Sequence, residues 1–249
     1  MSDPLVSVVT SVYNCEKFIE ESMRSIFDQT FTDFEFIIFN DCSTDKTWEI
    51  MERVALDFNG DITIINSQDD HNIGCGPGRD IGIKRARGKY IATQDGDDIS
   101  YKHRLEREAD FMEAHPDIFC VSSWADNIYE DGSFMKLMND VKECHDDIID
   151  DFYKMMNNIA DPTSFFRKDI FNKLGGYGAD WSLIPDCYLW IKAILDGQRF
   201  AGIQEQLVAH RKNYGGVICN HLRQVVLQHR MLHKMTLAKH KKEVFQGRS

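Results

Sequence analysis

A nine-residue stretch runs Tyr90-Ile91-Ala92-Thr93-Gln94-Asp95-Gly96-Asp97-Asp98, an apolar segment that ends in three carboxylates around a glycine. Its first half has the composition of a buried β-strand. Acids this close together stay ionised only if water, hydrogen bonds or a divalent cation offsets their repulsion. The stretch therefore predicts either a solvated acidic turn or a hard-metal site that holds phosphates.

The sequence before this stretch alternates between apolar, β-rich segments and segments with helical spacing. The predicted order is strand 5–12, helix 16–27, strand 34–39, helix 46–58, strand 62–66, helix 77–87 and strand 90–94. Four apolar strands separated by three helices predict an α/β fold. We expect a Rossmann-like, mostly parallel central sheet with helices on both faces.

Polar side chains follow three of these strands at the point where each strand ends. Tyr13-Asn14 follows the first strand, Asn40-Asp41 the second, and residues 95–98 the fourth. In open parallel sheets, ligands bind beyond the carboxyl ends of the strands, so we expect these clusters to share one edge. The arrangement favours a binding site, although Asn and Asp are also common in turns for backbone reasons.

Charge is unevenly distributed along the chain. The net charge is −11, yet residues 221–249 carry seven Lys or Arg against one Glu, which leaves −17 on the remainder. An acidic body of this kind repels nucleic acid. We expect residues 221–249 to form a basic amphipathic helix that packs on the body, meets another subunit or contacts an anionic membrane.

Common targeting and site motifs are absent from the sequence. No stretch approaches the roughly 18 apolar residues that cross a bilayer, and the first residues have no signal-peptide pattern, so we expect a cytoplasmic protein that is at most peripheral at a membrane. The segment Gly74-Cys75-Gly76-Pro77-Gly78 follows the third strand and has Arg79 where a dinucleotide fingerprint needs its third glycine. Phosphate-loop, nucleophile-elbow and zinc-helix motifs do not occur.

Six motifs occur in order between about residues 5 and 100. They are Val6-Ser7-Val8-Val9-Thr10-Ser11-Val12-Tyr13-Asn14, Ser25-Ile26-Phe27-Asp28-Gln29-Thr30-Phe31, Asn40-Asp41-Cys42-Ser43-Thr44-Asp45, Asn72-Ile73-Gly74 with Gly78-Arg79-Asp80-Ile81-Gly82, Gly88-Lys89-Tyr90-Ile91, and Asp95-Gly96-Asp97-Asp98. Together they closely resemble the inverting family-2 glycosyltransferases of the GT-A fold. A looser match continues through Pro162, Gly175-Gly176-Tyr177 and Asp186-Cys187-Tyr188-Leu189-Trp190 to about residue 215.

The resemblance implies a donor site for a nucleotide sugar. In the family pattern, Tyr13 stacks on the base with Thr10 and Asn14 near it. Asp41 forms a hydrogen bond with the edge of the base, and Arg79 contacts the nucleotide.

The resemblance also assigns the acids of the chemistry. Asp95 contacts the nucleoside, Asp97 binds Mn²⁺ or Mg²⁺ on the donor diphosphate together with Asp95, and Asp98 supports them. Asp186 corresponds to the catalytic base. Such a base must deprotonate the acceptor hydroxyl from the face of the sugar opposite the leaving diphosphate, whose charge a cation stabilises.

The chain departs from the family pattern at several positions. Asn40 and Pro185 stand where the family usually has a second acid beside Asp41 and Asp186. The late Tyr-Arg-x-His pattern reads His210-Arg211-Lys212-Asn213. His210 either substitutes for the family histidine at the metal or diphosphate, or is an ordinary surface or core histidine.

The resemblance predicts one GT-A domain over residues 1–220, with a donor half at about 5–100 and an acceptor half at about 101–215, before the C-terminal helix of 221–249. It implies metal-dependent transfer of a sugar from a nucleotide-diphosphate donor, first of all a UDP-sugar, to a hydroxyl of a glycan, lipid-linked or other acceptor, as in surface glycan or polysaccharide synthesis.

Two alternatives stay open. One is a non-catalytic nucleotide-sugar-binding or scaffold protein. The other is a nucleotidyltransferase, although the glycine-rich basic loop of that class does not follow the first strand.

Overall fold

The computed structural model describes residues 3–154, 156–178, 184–212 and 234. The strands are β1 (Val6–Val12), β2 (Phe34–Asn40), β3 (Asp61–Asn66), β4 (Tyr90–Thr93), β5 (Ile99–Ser100), β6 (Ile118–Ile128), β7 (Phe134–Met138), β8 (Ser164–Arg167) and β9 (Arg199–Arg211). The helices are α1 (Ile19–Phe27), α2 (Thr47–Ala55), α3 (Cys75–Arg85), α4 (Arg104–Ala114), α5 (His145–Tyr153), α6 (Lys168–Leu174) and α7 (Pro185–Leu195), and a 3₁₀ turn covers Asp161–Thr163. The predicted α/β fold class is confirmed.

The central sheet is parallel in its first half and mixed in its second. Its strand order is β3-β2-β1-β4-β8-β6-β9-β5, and β7 pairs with β6 outside this path. β1 runs parallel to β2 and β4, and β2 runs parallel to β3, as expected for strands joined by helical crossovers. β8 lies antiparallel between β4 and β6. The parallel half contains the four strands predicted from the first hundred residues, and the carboxyl ends of β1, β2 and β4 meet at one edge.

Alternation along β1 explains why helices cover both faces of the sheet. Val8 packs into one apolar cluster with Met23 of α1. Val9, the next residue, points to the opposite face and packs with Ile83 of α3 and Trp190 of α7. A strand buried on both faces lacks strict alternation of apolar and polar residues, and β1 carries valines on both faces.

The predicted basic helix at residues 221–249 lies outside the described residues, except for Lys234. Across the part of the chain that is described, no helix combines the length and apolar character that a membrane span requires.

A buried polar cluster lies beneath the acidic loop, residues 95–98, that follows β4. Arg104 of α4 donates to the Thr93 carbonyl at 2.8 Å, to Gln94 Oε1 at 3.0 Å and to Ser100 Oγ at 2.9 Å. Its Nε donates to Glu108 Oε1 at 3.1 Å, and both of these charged side chains are fully buried. Burial raises the pKa of Glu108 to about 7, while Arg104 acts in the opposite direction. The cluster therefore fixes both ends of the acidic loop from inside the protein.

Replacing Glu108 by alanine is expected to lower the free energy of unfolding by about 3–5 kcal/mol, because the buried charge of Arg104 loses its partner. The exposed Asp110, on the same helix, provides the matched control. Its alanine variant should stay within about 0.5 kcal/mol of the parent protein. Urea denaturation followed by circular dichroism measures both, and equal losses in the two variants would contradict the importance of the buried pair.

Candidate active site

The polar clusters that follow β1, β2 and β4 lie together at the carboxyl edge of the parallel half of the sheet. The Asp41 N–H donates to the Val12 carbonyl at 2.9 Å, which joins the ends of β1 and β2. The Asn14 side chain accepts a hydrogen bond from the Thr44 N–H at 2.8 Å. Because β4 pairs in parallel with β1, its acidic loop emerges at the same edge.

Asp41 is buried and holds the loop that precedes α3. Its two carboxylate oxygens accept hydrogen bonds from the N–H groups of Ile73 and Gly74, each at 2.9 Å. Burial raises the pKa of Asp41, and these two bonds oppose the rise. The Tyr13 ring is 46% exposed, whereas Thr10 is buried, with a hydroxyl that has no hydrogen-bond partner among the described residues. An exposed aromatic ring and a fixed carboxylate at one edge can recognise a planar base.

Arg79 of α3 is buried between two carboxylates. One terminal nitrogen of its guanidinium donates to Asp95 and the other donates to Asp161. The Tyr177 hydroxyl donates to the second Asp161 oxygen at 3.0 Å. Burial disfavours the charge of Arg79, but Asp161 and Asp95 outweigh burial and hold its pKa above the ordinary value. Arg79 is thus an internal counter-ion of the acidic loop.

Asp161 is a site residue that the sequence analysis missed. Burial raises its pKa to about 7, against the opposing charge of Arg79. It occupies the 3₁₀ turn before β8, and its one sequence signal is its place before Pro162 in the loosely matched segment. Its partners Arg79 and Tyr177 lie 82 and 16 residues away along the chain, so no local pattern connects them.

Asp98 anchors the other end of the acidic loop. It is fully buried and accepts hydrogen bonds from His210 Nδ1 at 3.0 Å and from the Arg211 N–H at 2.7 Å. Burial alone would lower the pKa of His210, but the Asp98 carboxylate outweighs burial, and the pKa is raised. The pair brings β9 against the acidic loop, so His210 lies at the candidate site.

The acidic loop offers oxygen donors but no complete cage for a cation. No group of three or more His, Cys, Asp or Glu side chains is arranged to hold a metal ion anywhere in the described ranges. Mg²⁺ is commonly bound by one or two carboxylates together with substrate phosphates and water, and oxygen ligands also suit Mn²⁺. Asp95 and Asp97 supply donors of this type. The residues therefore fit a cation that binds together with a diphosphate.

Asp186 lies in the first turn of α7, where Asn157 donates to it at 3.2 Å. Burial raises the pKa of Asp186, and the charge of Arg79 acts against this rise. The starts of α3 and α7 pack closely, because a Cβ on Gly76 would lie 2.7 Å from the Cβ of Pro185. This packing brings Asp186 into the electrostatic field of Arg79, although the two residues are far apart in the sequence.

Solved structures with the same fold confirm the architecture. The chain superposes on S. aureus TarS, crystallised with UDP, with a TM-score of 0.71 and 20% identity, covering 95% of this chain and 65% of that one. It superposes on the mannosyltransferase PcManGT of Pyrobaculum calidifontis, in complex with GDP-Man and Mn²⁺, with a TM-score of 0.70 and 18% identity, covering 96% and 65%. At these identities the likeness establishes the GT-A fold.

Sequence comparison identifies the family. An uncharacterised glycosyltransferase of Methanocaldococcus jannaschii, MJ1057, is 35% identical over 212 residues, which cover 85% of this chain and 72% of that protein. The chain spans only 40% and 42% of two Bacillus subtilis relatives that it also matches. The family model described as Glycosyl transferase family 2 matches residues 7–175. This match covers more than half of the chain, and the chain therefore belongs to the family-2 glycosyltransferases.

Proposed function

We propose that the chain is a metal-dependent inverting glycosyltransferase that moves a sugar from a nucleotide-diphosphate donor to an acceptor hydroxyl. The observation that carries the proposal is the buried link between the acidic loop and the late helix. Arg79 binds Asp95 and Asp161, and its charge also acts on Asp186. Arg79 therefore lies between the donor-binding side of the proposed site, at Asp95, and the proposed base, Asp186.

A UDP-sugar is the donor that we propose first. TarS has been crystallised with UDP and PcManGT with GDP-Man, so related folds accept either type of base. At the carboxyl edge, Tyr13 would stack on the base, with Thr10 and Asn14 near it, and Asp41 would bond the base edge. The loop that Asp41 fixes through Ile73 and Gly74 keeps this carboxylate in one orientation.

The acidic loop would bind the donor diphosphate. Asp97, together with Asp95, would hold Mn²⁺ or Mg²⁺, a Lewis acid that stabilises the negative charge growing on the leaving diphosphate. Arg79 would hold the Asp95 carboxylate in one direction through a charge-assisted hydrogen bond, so that Asp95 can contact the nucleoside. Asp98 holds the loop through His210 and Arg211.

Asp186 would act as the general base. The acceptor hydroxyl must lose its proton as it attacks the sugar carbon from the face opposite the diphosphate, and the acceptor would lie between that carbon and Asp186. Burial raises the pKa of Asp186, so it binds the proton more readily than an exposed aspartate does. The Asn157 amide holds one of its oxygens.

We further propose a glycan or lipid-linked acceptor in surface glycan or polysaccharide synthesis, and a cytoplasmic site of action, peripheral to a membrane where the acceptor is lipid-linked. The alternative, a scaffold that binds nucleotide sugars without turnover, retains the donor side but gives no role to Asp186, whose pKa burial raises. The next experiment separates the two.

Replacing Asp186 by asparagine is expected to lower turnover by about 10²–10⁴-fold, since the acceptor proton loses its base. Donor affinity, measured by calorimetry with UDP, should stay near that of the parent protein. The control is Asp169→Asn, because Asp169 is an exposed acid in the first turn of α6 and should leave turnover unchanged. Full turnover in Asp186→Asn would reject this residue as the base.

Replacing Asp97 by alanine is expected to abolish metal-dependent release of the nucleoside diphosphate, because the cation loses its main protein ligand. The assay supplies UDP-, GDP- and dTDP-sugars with Mn²⁺ or Mg²⁺, and EDTA gives the metal-free background. Asp70 is the control acid, since its side chain is 99% exposed and follows β3 at the same edge. Release that survives both EDTA and Asp97→Ala would contradict metal dependence.

The rate at saturating donor and metal is expected to fall as pH decreases, starting above the ordinary aspartate pKa of about 3.9. Burial raises the pKa of Asp186, and below that pKa the protonated carboxyl cannot accept the acceptor proton. A pH–rate profile tests this expectation. A rate that stays constant down to the ordinary aspartate value would show that no base of raised pKa is required.

A further inference from the structure

Arg211, at the end of β9, connects the acidic loop to two other parts of the protein. It is 3% exposed. Its Nε donates to the main-chain carbonyl of Asp97 at 2.8 Å, and its Nη1 donates to the carbonyls of Tyr129 at 3.2 Å and Glu130 at 2.7 Å. Its Nη2 donates to Glu21 of α1 at 2.6 Å. One guanidinium thus joins the loop, the β6–β7 turn and α1.

Two further contacts hold Arg211 in this place. Its main-chain N–H donates to Asp98 Oδ1 at 2.7 Å, so backbone and side chain of one residue bind neighbouring positions of the loop. Its guanidinium also lies over the Phe18 ring, 4.8 Å from the ring centroid, where a cation and an aromatic face attract. The planar, five-donor fork of arginine can serve these acceptors together, whereas the single ammonium of lysine cannot reach them all.

The Arg211 contact with Asp97 goes to the main chain. A bond to the Asp97 carbonyl fixes the backbone from which that carboxylate projects. This contact orders the loop before any ligand arrives.

We propose that Arg211 is a positioning residue that fixes the backbone of the acidic loop and so the direction of the Asp97 carboxylate. The order of the loop follows from the contacts alone, while the consequence for metal and diphosphate binding rests on the proposed function. Arg211 touches neither donor nor acceptor in this scheme and acts through Asp97.

Arg167 provides a matched control for a purely structural role. It too donates to three main-chain carbonyls, those of Ile118, Met112 and His115, and it lies 5.2 Å from the centroid of the Tyr90 ring. It pairs with Tyr90 at the start of β4, the strand end opposite the acidic loop. Lysine at either position removes a similar set of hydrogen bonds to main-chain carbonyls. Only Arg211→Lys removes a hydrogen bond to the acidic loop.

The first readout is hydrogen exchange of the ligand-free protein, followed by mass spectrometry on peptides that cover residues 94–100. Losing one charge-assisted hydrogen bond is expected to speed exchange of the loop amides about tenfold in Arg211→Lys. Arg167→Lys should leave these peptides unchanged and speed exchange near residues 112–118. If Arg211→Lys does not fold, Glu21→Ala removes one arm of the same interaction from an exposed residue and should speed loop exchange to a smaller degree.

The second readout is binding of Mn²⁺ in the presence of UDP, measured by electron paramagnetic resonance. Arg211→Lys is expected to weaken Mn²⁺ binding about tenfold, as removal of a residue that orients a metal ligand does elsewhere. Arg167→Lys should bind Mn²⁺ like the parent. Equal exchange and equal Mn²⁺ binding in the two lysine variants would overturn the proposal. Absence of Mn²⁺ and UDP binding in the parent would instead count against the proposed function. The exchange data would still show whether Arg211 orders the acidic loop.

Discussion

Several acids at the edge of this sheet depend on the buried positive charge of Arg79. Asp95 and Asp161 share the guanidinium of Arg79, and Asp186 lies in its field. Carboxylates removed from water take up protons unless a cation or hydrogen bonds stabilise the charged form. Removing this arginine would leave buried Asp161 beside Asp95 and Asp186 without their shared counter-charge, which costs more than losing a single hydrogen bond. The donor side of the site is therefore built around a charge that comes from α3.

This arrangement makes the site a product of the whole sheet. Arg79 belongs to the parallel half, whereas Asp161 enters through the turn before β8, an antiparallel strand between β4 and β6. Gly76 allows α7 to approach α3, because any side chain there would collide with Pro185. The acids meet only when both halves have packed together. The site is therefore complete only in the packed fold.

Much of the fold and of the candidate site could be predicted from the sequence. The parts that could not be predicted have a physical reason. The strands of the parallel half are rich in apolar, β-branched and aromatic residues, and the polar residues after them, such as Asp41 and Asp95, are local signals that place a site at one edge. Asp161 gives no such signal, since its partners are distant in the chain and a lone acid before proline is common in turns. β9 was also missed, because its exposed middle residues, Gln204 to Gln206, interrupt the apolar pattern where its pairing with β6 changes register.

Opposing contacts explain how three neighbouring acids coexist in one loop. Asp95 is held from α3 by Arg79, and Asp98 is held from β9 by His210 and the Arg211 main chain. Asp97, between them, is held by its main-chain carbonyl. Fixing the outer carboxylates and the central backbone restricts the direction of the middle carboxylate. Under the proposed function, that carboxylate is the one that meets the donor-bound metal, so the order of the loop and its capacity to bind a diphosphate have the same origin.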